Sequence, residues 1–528
     1  MSEHSTAAPL KDSGLNAYRA ALALAALLTQ GAILWGDFYL DDYFYLHLAR
    51  AGAPVWAFFT QDLWFGLYYR PAFYFFFKPL YGLFGAHAVG YLAVNLALVA
   101  ATTCLLFELG RRWFGSIPVA FWTAALFAVS PATTMGAHFV FNTPDVLGAF
   151  FLVVSLIAFW RWMDGRRRLW LTASLLAALA AMLCKENQIV VALLVFPLAF
   201  SFHRQRGESR RRAAGLTLLT AWPWVLAASL YFVWRWLFLG GFGGYDPLPG
   251  APPLDVILPV IPKLIADYFP VLPWLLPPLA VGILALLIWG RRTGAPRLAL
   301  MGLALFVLAM APMAVNLKNP VMALWFPLRF FYLGGFGAGL LLAAAAGLAG
   351  RPGRVARLLL AGLAILLAVN SAVLGWNFSR WQTRRAESLQ QTADNIARDH
   401  GDAEPGTVLY YCARPHDHAL DTAVKFYRPE LTDRLLVLHC NDRTEFVASG
   451  GLMRRLAVEP FYDPMLKRNP IRYGDLTYGI VLTTLRQVNL DARRNERVRV
   501  VVPPEEIDPL TDRFFPFGAG RRYKPPGY

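Results

Sequence analysis

Residues 17–46 read AYRAALALAALLTQGAILWGDFYLDDYFYL. The first two thirds of the stretch is an apolar run long enough to cross a bilayer, at about 20 residues per span. Its far end carries Asp37, Asp41 and Asp42 among aromatic residues, where a spanning helix would leave the bilayer and meet water. Asp37 and Asp41 are four apart and share a face on a helical continuation, with Asp42 beside them. Such carboxylates read either as an ordinary solvated loop or as groups kept at a membrane boundary for their chemistry.

The rest of the chain follows the same pattern. Of 528 residues, 57% are hydrophobic and only 16% charged, with a mean hydropathy of +0.42, which excludes a single soluble domain. Apolar segments at 17–36, 88–108, 116–134, 144–163, 168–184, 187–203, 213–238, 269–290, 298–315, 329–349 and 357–376 predict about eleven spanning helices. The formal net charge of +16 comes in short basic clusters between these runs, at Arg111–Arg112, Arg161–Arg168, His203–Arg212, Arg291–Arg297 and Arg351–Arg357. With a cytoplasmic N-terminal tail over 1–16, every cluster falls on the cytoplasmic side, so the charge reports topology and not nucleic-acid binding. The first apolar run lacks a small-residue cleavage site and is expected to be a retained span.

The opposite face receives the first external loop, residues 37–87, whose aromatics and few charges suit interfacial helices. It also receives the 135–145 segment, the Lys185-Glu186-Asn187 turn, the Gly-Pro-rich loop 240–262, the 316–329 segment and the C-terminal region. Within 251–268, four prolines predict an interfacial or re-entrant segment. Beyond the transmembrane module, 17–376, a connecting helix is expected over 377–399 and a small α/β domain over 400–528, with strands near 407–412, 434–440, 479–484 and 497–502. The fold class is therefore an all-α polytopic membrane protein with a small C-terminal α/β soluble domain. Of the four cysteines, Cys104 and Cys184 sit in apolar runs as packing residues. Cys412 and Cys440 lie in the C-terminal region, where a disulfide is allowed outside the cytoplasm but spacing does not establish one.

Ionisable residues at a membrane boundary are costly unless they line a cavity or find partners. Besides the three aspartates, the external side offers Arg70 and Lys78, His138 with Asn142 and Asp145, Lys185 with Glu186, and Arg329 with Tyr332. A carboxylate can take a proton from an attacking hydroxyl or hold a divalent cation, for which Asp41, Asp42 and Asp145 are the candidates. Arg and Lys can neutralise a phosphate at headgroup level. Lys185 and Glu186 also read as a mutual ion pair, His138 as a satisfied interfacial histidine, and Arg329 as a snorkelling residue.

These motifs, in this order, resemble the GT-C glycosyltransferase superfamily, which uses polyprenyl-phosphate sugars. The closer likeness is to the protein O-mannosyltransferases and the transmembrane-and-TPR mannosyltransferases. FYLDDYFYL (38–46) resembles that branch's Asp-Asp stretch, and YYRPAFYF (68–75) its Tyr-Arg-Pro segment. Asn95 in YLAVNLALVA is similar to the Asn of its second-span pattern, whose His is here Tyr91 or Leu92. HFVFNTPD (138–145), LCKENQIV (183–190) and FPLRFFYL (326–333) resemble its Asp-terminated, Lys-Glu and Arg-Tyr-Leu-Tyr segments. The likeness covers roughly residues 15–350, and no TPR array follows it.

The resemblance implies an inverting membrane glycosyltransferase, without a certain cofactor, acting on the non-cytoplasmic face of a bacterial-type inner or plasma membrane. Its expected partners are a polyprenyl-phosphate-linked donor, membrane lipids and a lipid, glycan or protein acceptor. Asp41 and Asp42 are then the catalytic pair, Arg70, Lys185 and Arg329 the donor-phosphate contacts, and Asp145, His138, Asn142, Glu186 and Tyr332 the supporting residues. A transporter or lipid-linked-sugar flippase could line a pathway with the same charges, and a membrane assembly factor would leave them dispersed.

Overall fold

The computed structural model describes residues 12–39, 41–50, 54–60, 69–239, 301–305, 332, 334–345, 354–403, 407–411, 420–432, 434–439 and 498–501. The loop 240–262, the segment 251–268, the span expected at 269–290, most of that at 298–315, the strand expected at 479–484, and Arg329, Cys412 and Cys440 lie outside the described residues.

Among the described residues, six helical segments are long and apolar enough to cross a membrane: Gly14–Trp35, Ala88–Phe114, Val140–Gly165, Glu186–Gln205, Arg210–Leu239 and Leu360–His400. The individual helices are α1 (Asp12–Gln30), α2 (Asp41–Arg50), α3 (Ala57–Thr60), α4 (Pro71–Phe84), α5 (Ala88–Phe114), α6 (Ile117–Ala128), α7 (Pro131–Ala137), α8 (Thr143–Gly165), α9 (Arg168–Cys184), α10 (Val191–Gln205), α11 (Arg210–Leu239), α12 (Gly334–Ala345) and α13 (Arg354–His400). Short 3-10 turns at Gly31–Trp35, Val140–Asn142 and Glu186–Val190 join or extend them.

The span expected over 116–134 is a broken one. α6 and α7 meet at 53° around Val129-Ser130-Pro131. Pro131 disfavours helical backbone at Ser130, and the freed serine side chain accepts the Thr133 amide N–H at 3.1 Å, so the chain stops and restarts in a capped turn. The Thr133 hydroxyl donates to the Phe127 carbonyl at 2.6 Å and satisfies part of the exposed helix end. α5 ends at Gly115, whose φ of 64° closes the helix in the left-handed region that glycine adopts without cost.

Without a hydrophobic force between lipid-bathed helices, close packing and interhelical hydrogen bonds hold the bundle. α8 and α9 exchange reciprocal bonds, Ser155 Oγ to Ser174 O and Ser174 Oγ to Ser155 O, both at 2.8 Å. Trp224 of α11 joins them through Nε1 to Ser174 Oγ at 3.2 Å.

The last span and the connecting helix expected after it form one continuous helix, α13. Its outer half buries Trp381, Gln382, Ala386, Leu389, Ala393 and Ile396, the stripe of an amphipathic helix. Ser379 and Thr383 donate to Ala32 O (2.7 Å) and Trp35 O (3.0 Å), tying this half to the end of the first span. Beyond it, β1 (Thr407–Tyr411), α14 (Leu420–Tyr427), β2 (Leu435–His439) and β3 (Val498–Val501) build a parallel sheet in the order β2-β1-β3. The helical β1-α14-β2 crossover is what parallel pairing requires.

Candidate active site

Asp41 and Asp42 occupy the first turn of α2, where the helix dipole favours negative charge. Their surroundings separate them. Asp42 is fully buried, and its oxygens accept the Tyr39 amide at 2.8 Å and the Phe141 amide at 2.5 Å. Burial pushes its carboxyl well above the usual carboxylate range against these two bonds, with Asp41 adding to the rise. Asp42 thus clips the start of α2 to the Val140–Asn142 turn. Asp41 is half-buried beside it.

Asp41 and Tyr45 lie one helical turn apart on the same face of α2. Burial raises the Tyr45 phenol, and the charges of Arg70, Asp41, Asp42 and Glu186 lie within electrostatic reach of it. Arg70 precedes Pro71, the N-terminal proline of α4, and so stands at the helix entrance with non-helical backbone (φ −134°, ψ 53°). Its guanidinium grips Glu186 as a fork, Nε to Oε2 at 3.1 Å and Nη2 to Oε1 at 2.8 Å.

Glu186 follows Lys185, whose extended backbone (φ −157°, ψ 136°) separates α9 from the 3-10 turn before α10. Consecutive residues of extended chain point in opposite directions. Among the described residues, Lys185 and Glu186 bond different partners. Lys185 Nζ bonds Asp145, in the first turn of α8, and both side chains are buried. Tyr332 is buried, and Asp145 is the charge that reaches its phenol.

His138 and Asn142 are committed to the backbone. His138 places Nδ1 2.8 Å from Thr134 O and Nε2 3.1 Å from Gly375 O, and the Asn142 amide donates to Met135 O at 3.3 Å. Asn95 performs a similar task, donating to Ala137 O and Phe139 O at 3.2 and 3.1 Å while accepting the Thr143 hydroxyl at 2.8 Å. These residues shape the turn that clips Asp42.

Two residues of α11 complete the charged cluster. Arg235 is buried and acts on Glu186, and the buried Tyr231 hydroxyl lies within electrostatic reach of Glu186, Arg235, Arg70 and Tyr69. A lone arginine in an apolar span was itself a signal for such a site. Among the described residues, Arg70 pairs with Glu186, Lys185 with Asp145, and Arg235 acts on Glu186. Among the described residues, no group of three His, Cys, Asp or Glu side chains is disposed to hold a metal ion.

The arrangement can neutralise an anion beside a half-buried carboxylate. Residues 70–237 match the family described as dolichyl-phosphate-mannose-protein mannosyltransferase. Protein O-mannosyl-transferase TMTC1 of Homo sapiens is 31% identical over 219 residues, 37% of this chain and 25% of that protein. Its Mus musculus counterpart is 30% identical over 211 residues, 35% of this chain and 22% of that protein. The chain thus spans about a quarter of the length of these relatives. A crystal structure of ArnT from Cupriavidus metallidurans bound to undecaprenyl phosphate aligns with a TM-score of 0.42 and 17% identity, covering 86% of this chain and 89% of that one. Over residues 70–237, which hold Arg70, Asp145, Lys185, Glu186 and Arg235, the chain carries the dolichyl-phosphate-mannose-protein mannosyltransferase pattern, and its resemblance to the protein O-mannosyltransferase branch of GT-C glycosyltransferases stands.

Proposed function

We propose that this protein transfers a sugar from a polyprenyl-phosphate carrier to an acceptor hydroxyl on the non-cytoplasmic side of the membrane. The observation that carries the reading is the Arg70–Glu186 fork with the buried Lys185–Asp145 pair beside it, Asp41 and Arg70 both lying within electrostatic reach of Tyr45. The family match over residues 70–237, which include Arg70, Lys185 and Glu186 and not Asp41 or Tyr45, supports it.

In this reading the acceptor oxygen attacks the anomeric carbon as the bond to the donor phosphate breaks, inverting that centre. The acceptor proton passes to the Asp41 carboxylate, and the departing phosphate keeps the electron pair. A phosphate leaves without needing a proton, so electrostatic neutralisation outweighs acid catalysis. Arg70, held in orientation by Glu186, and Lys185, held by Asp145, supply that neutralisation together with Arg235. Asp42 acts by fixing the start of α2 and not by touching substrate. Mannose is the sugar named by the matching family and is the first donor to try.

The test is release of polyprenyl phosphate from polyprenyl-phosphate sugars by the purified full-length protein in lipid nanodiscs. Asp41→Asn, inserted and folded as wild type, should lose at least about 100-fold in turnover, the scale of a general-base contribution. Wild-type turnover in that variant would sink the assignment. Movement of the lipid-linked sugar across sealed vesicles without its consumption would favour a flippase instead.

A further inference from the structure

We propose that α14, in the C-terminal α/β unit, is a positioning element for Asp41 that sets the rotation of α2 through the Tyr43–Tyr427 contact; this rests on the transferase reading above. The two phenol oxygens are 2.9 Å apart and hydrogen-bonded, and Tyr43 also reaches the Phe38 carbonyl at 3.2 Å. Phe426 sits between Phe38 and Tyr43, with ring centroids at 5.7 and 5.5 Å in edge-on geometry. Arg50, at the far end of α2, points Nη1 at the Phe426 carbonyl at 3.4 Å. Burial pushes the Tyr427 phenol up to about 12, so its proton remains available for the bond at physiological pH.

Helix geometry turns this contact into aim. Successive residues advance about 100°, so Tyr43 lies roughly 200° from both Asp41 and Tyr45. α14 therefore holds the back of α2 while Asp41 and Tyr45 present the front to Arg70 and Glu186. Other attachments act elsewhere on α2: Asp42 clips its first turn to Phe141, and Tyr45 packs against Phe73 and Phe77 of α4 at 4.6 and 5.6 Å.

α14 is itself anchored. Leu420, Ala423 and Val424 are buried in one core with Leu409, Leu435 and Val437 of the sheet, and Arg428 bonds Asp394 of α13 at 2.7 Å. The last span, the sheet and α14 thus form a continuous path to the helix that carries Asp41.

The test uses the full-length protein in nanodiscs with polyprenyl-phosphate mannose as donor. Tyr43→Phe and Tyr427→Phe keep both rings and delete the bond between the phenols, Tyr43→Phe losing the bond to the Phe38 carbonyl as well. Each should lower kcat about fivefold at unchanged donor KM, the double variant no further, and amides of residues 41–50 should exchange faster while those of α8 and α9 do not. Additive losses in the double variant, or wild-type kcat with wild-type exchange, would overturn the proposal. The exchange arm needs no transferase assay. If Asp41→Asn sinks the functional reading, faster exchange confined to α2 still supports the brace and unchanged exchange still overturns it.

Discussion

Lys185 and Asp145 are buried together, with side-chain exposures of 8% and 5%. Removing one partner of such a pair strands a charge and costs about 3–5 kcal/mol, whereas replacing both by apolar groups is often neutral. Lys185→Met should therefore depress the thermal midpoint of the solubilised protein sharply, and Lys185→Met with Asp145→Leu should restore most of it. Donor turnover should stay lost in the double variant if Lys185 neutralises the phosphate. Recovery of both would reduce the pair to a structural one. Asp37 behaves oppositely. Burial and the nearby Glu387 raise its carboxyl above the usual range, against the Phe38 amide bond at 2.7 Å. A carboxyl whose folded pKa is raised contributes stability below its unfolded value near about 4, and that contribution is lost as pH rises through the folded pKa. Asp37→Asn keeps the oxygen that accepts from Phe38 and cannot ionise. It should unfold at a higher temperature than wild type at pH 7.5, with the advantage shrinking toward pH 4, and turnover should persist.

At the scale of elements, the apolar runs were legible because span length and helix geometry leave few alternatives. The runs at 88–108, 144–163, 187–203 and 213–238 coincide with α5, α8, α10 and α11. Strands expected near 407–412, 434–440 and 497–502 appear as β1, β2 and β3, since β-branched runs between turn residues carry their own signal. The α6–α7 break was less legible. Ser130-Pro131 is a turn signal, yet it lies inside an apolar stretch of spanning length, and tertiary packing decides whether such a helix kinks or breaks. The pairing of charges was not legible at all. Lys185 beside Glu186 reads as a local pair, but extended backbone at Lys185 sends the two side chains to Asp145 and Arg70, residues 40 and 116 positions away. The same holds for Asp42, whose commitment to the Phe141 amide crosses 99 positions. Sequence nominates both aspartates for chemistry, and long-range packing adds to Asp42 a buried bond that the sequence does not show.

Across the whole molecule, the two ends of the spans differ in how they treat charge. At one end, arginines gather on shared carboxylates: Glu108 accepts from Arg19 at 3.0 Å, from Arg111 at 2.6 Å and from Arg112 at 2.7 Å, and Arg206 pairs with Asp164 at 2.9 Å. At the other, Asp41 and Arg70 act on Tyr45, and Arg70, Lys185 and Arg235 act on Glu186, while the C-terminal unit contacts α2 through Tyr427. The density of Lys and Arg at the first end fits the cytoplasm, because translocating such clusters is unfavourable. In the proposed orientation the charged cluster and the C-terminal unit lie outside, where a lipid-linked donor and an external acceptor would meet. It can be read directly with single cysteines in a background where Cys104, Cys184, Cys412 and Cys440 are replaced by serine or alanine. Arg167→Cys, in the exposed turn between α8 and α9, should react with a membrane-impermeant maleimide only after the cytoplasmic face is opened. Asp402→Cys, exposed just beyond α13, should react in intact spheroplasts. The reverse pattern would invert the topology and put the carboxylate of Asp41 in the cytoplasm, away from any externally presented acceptor.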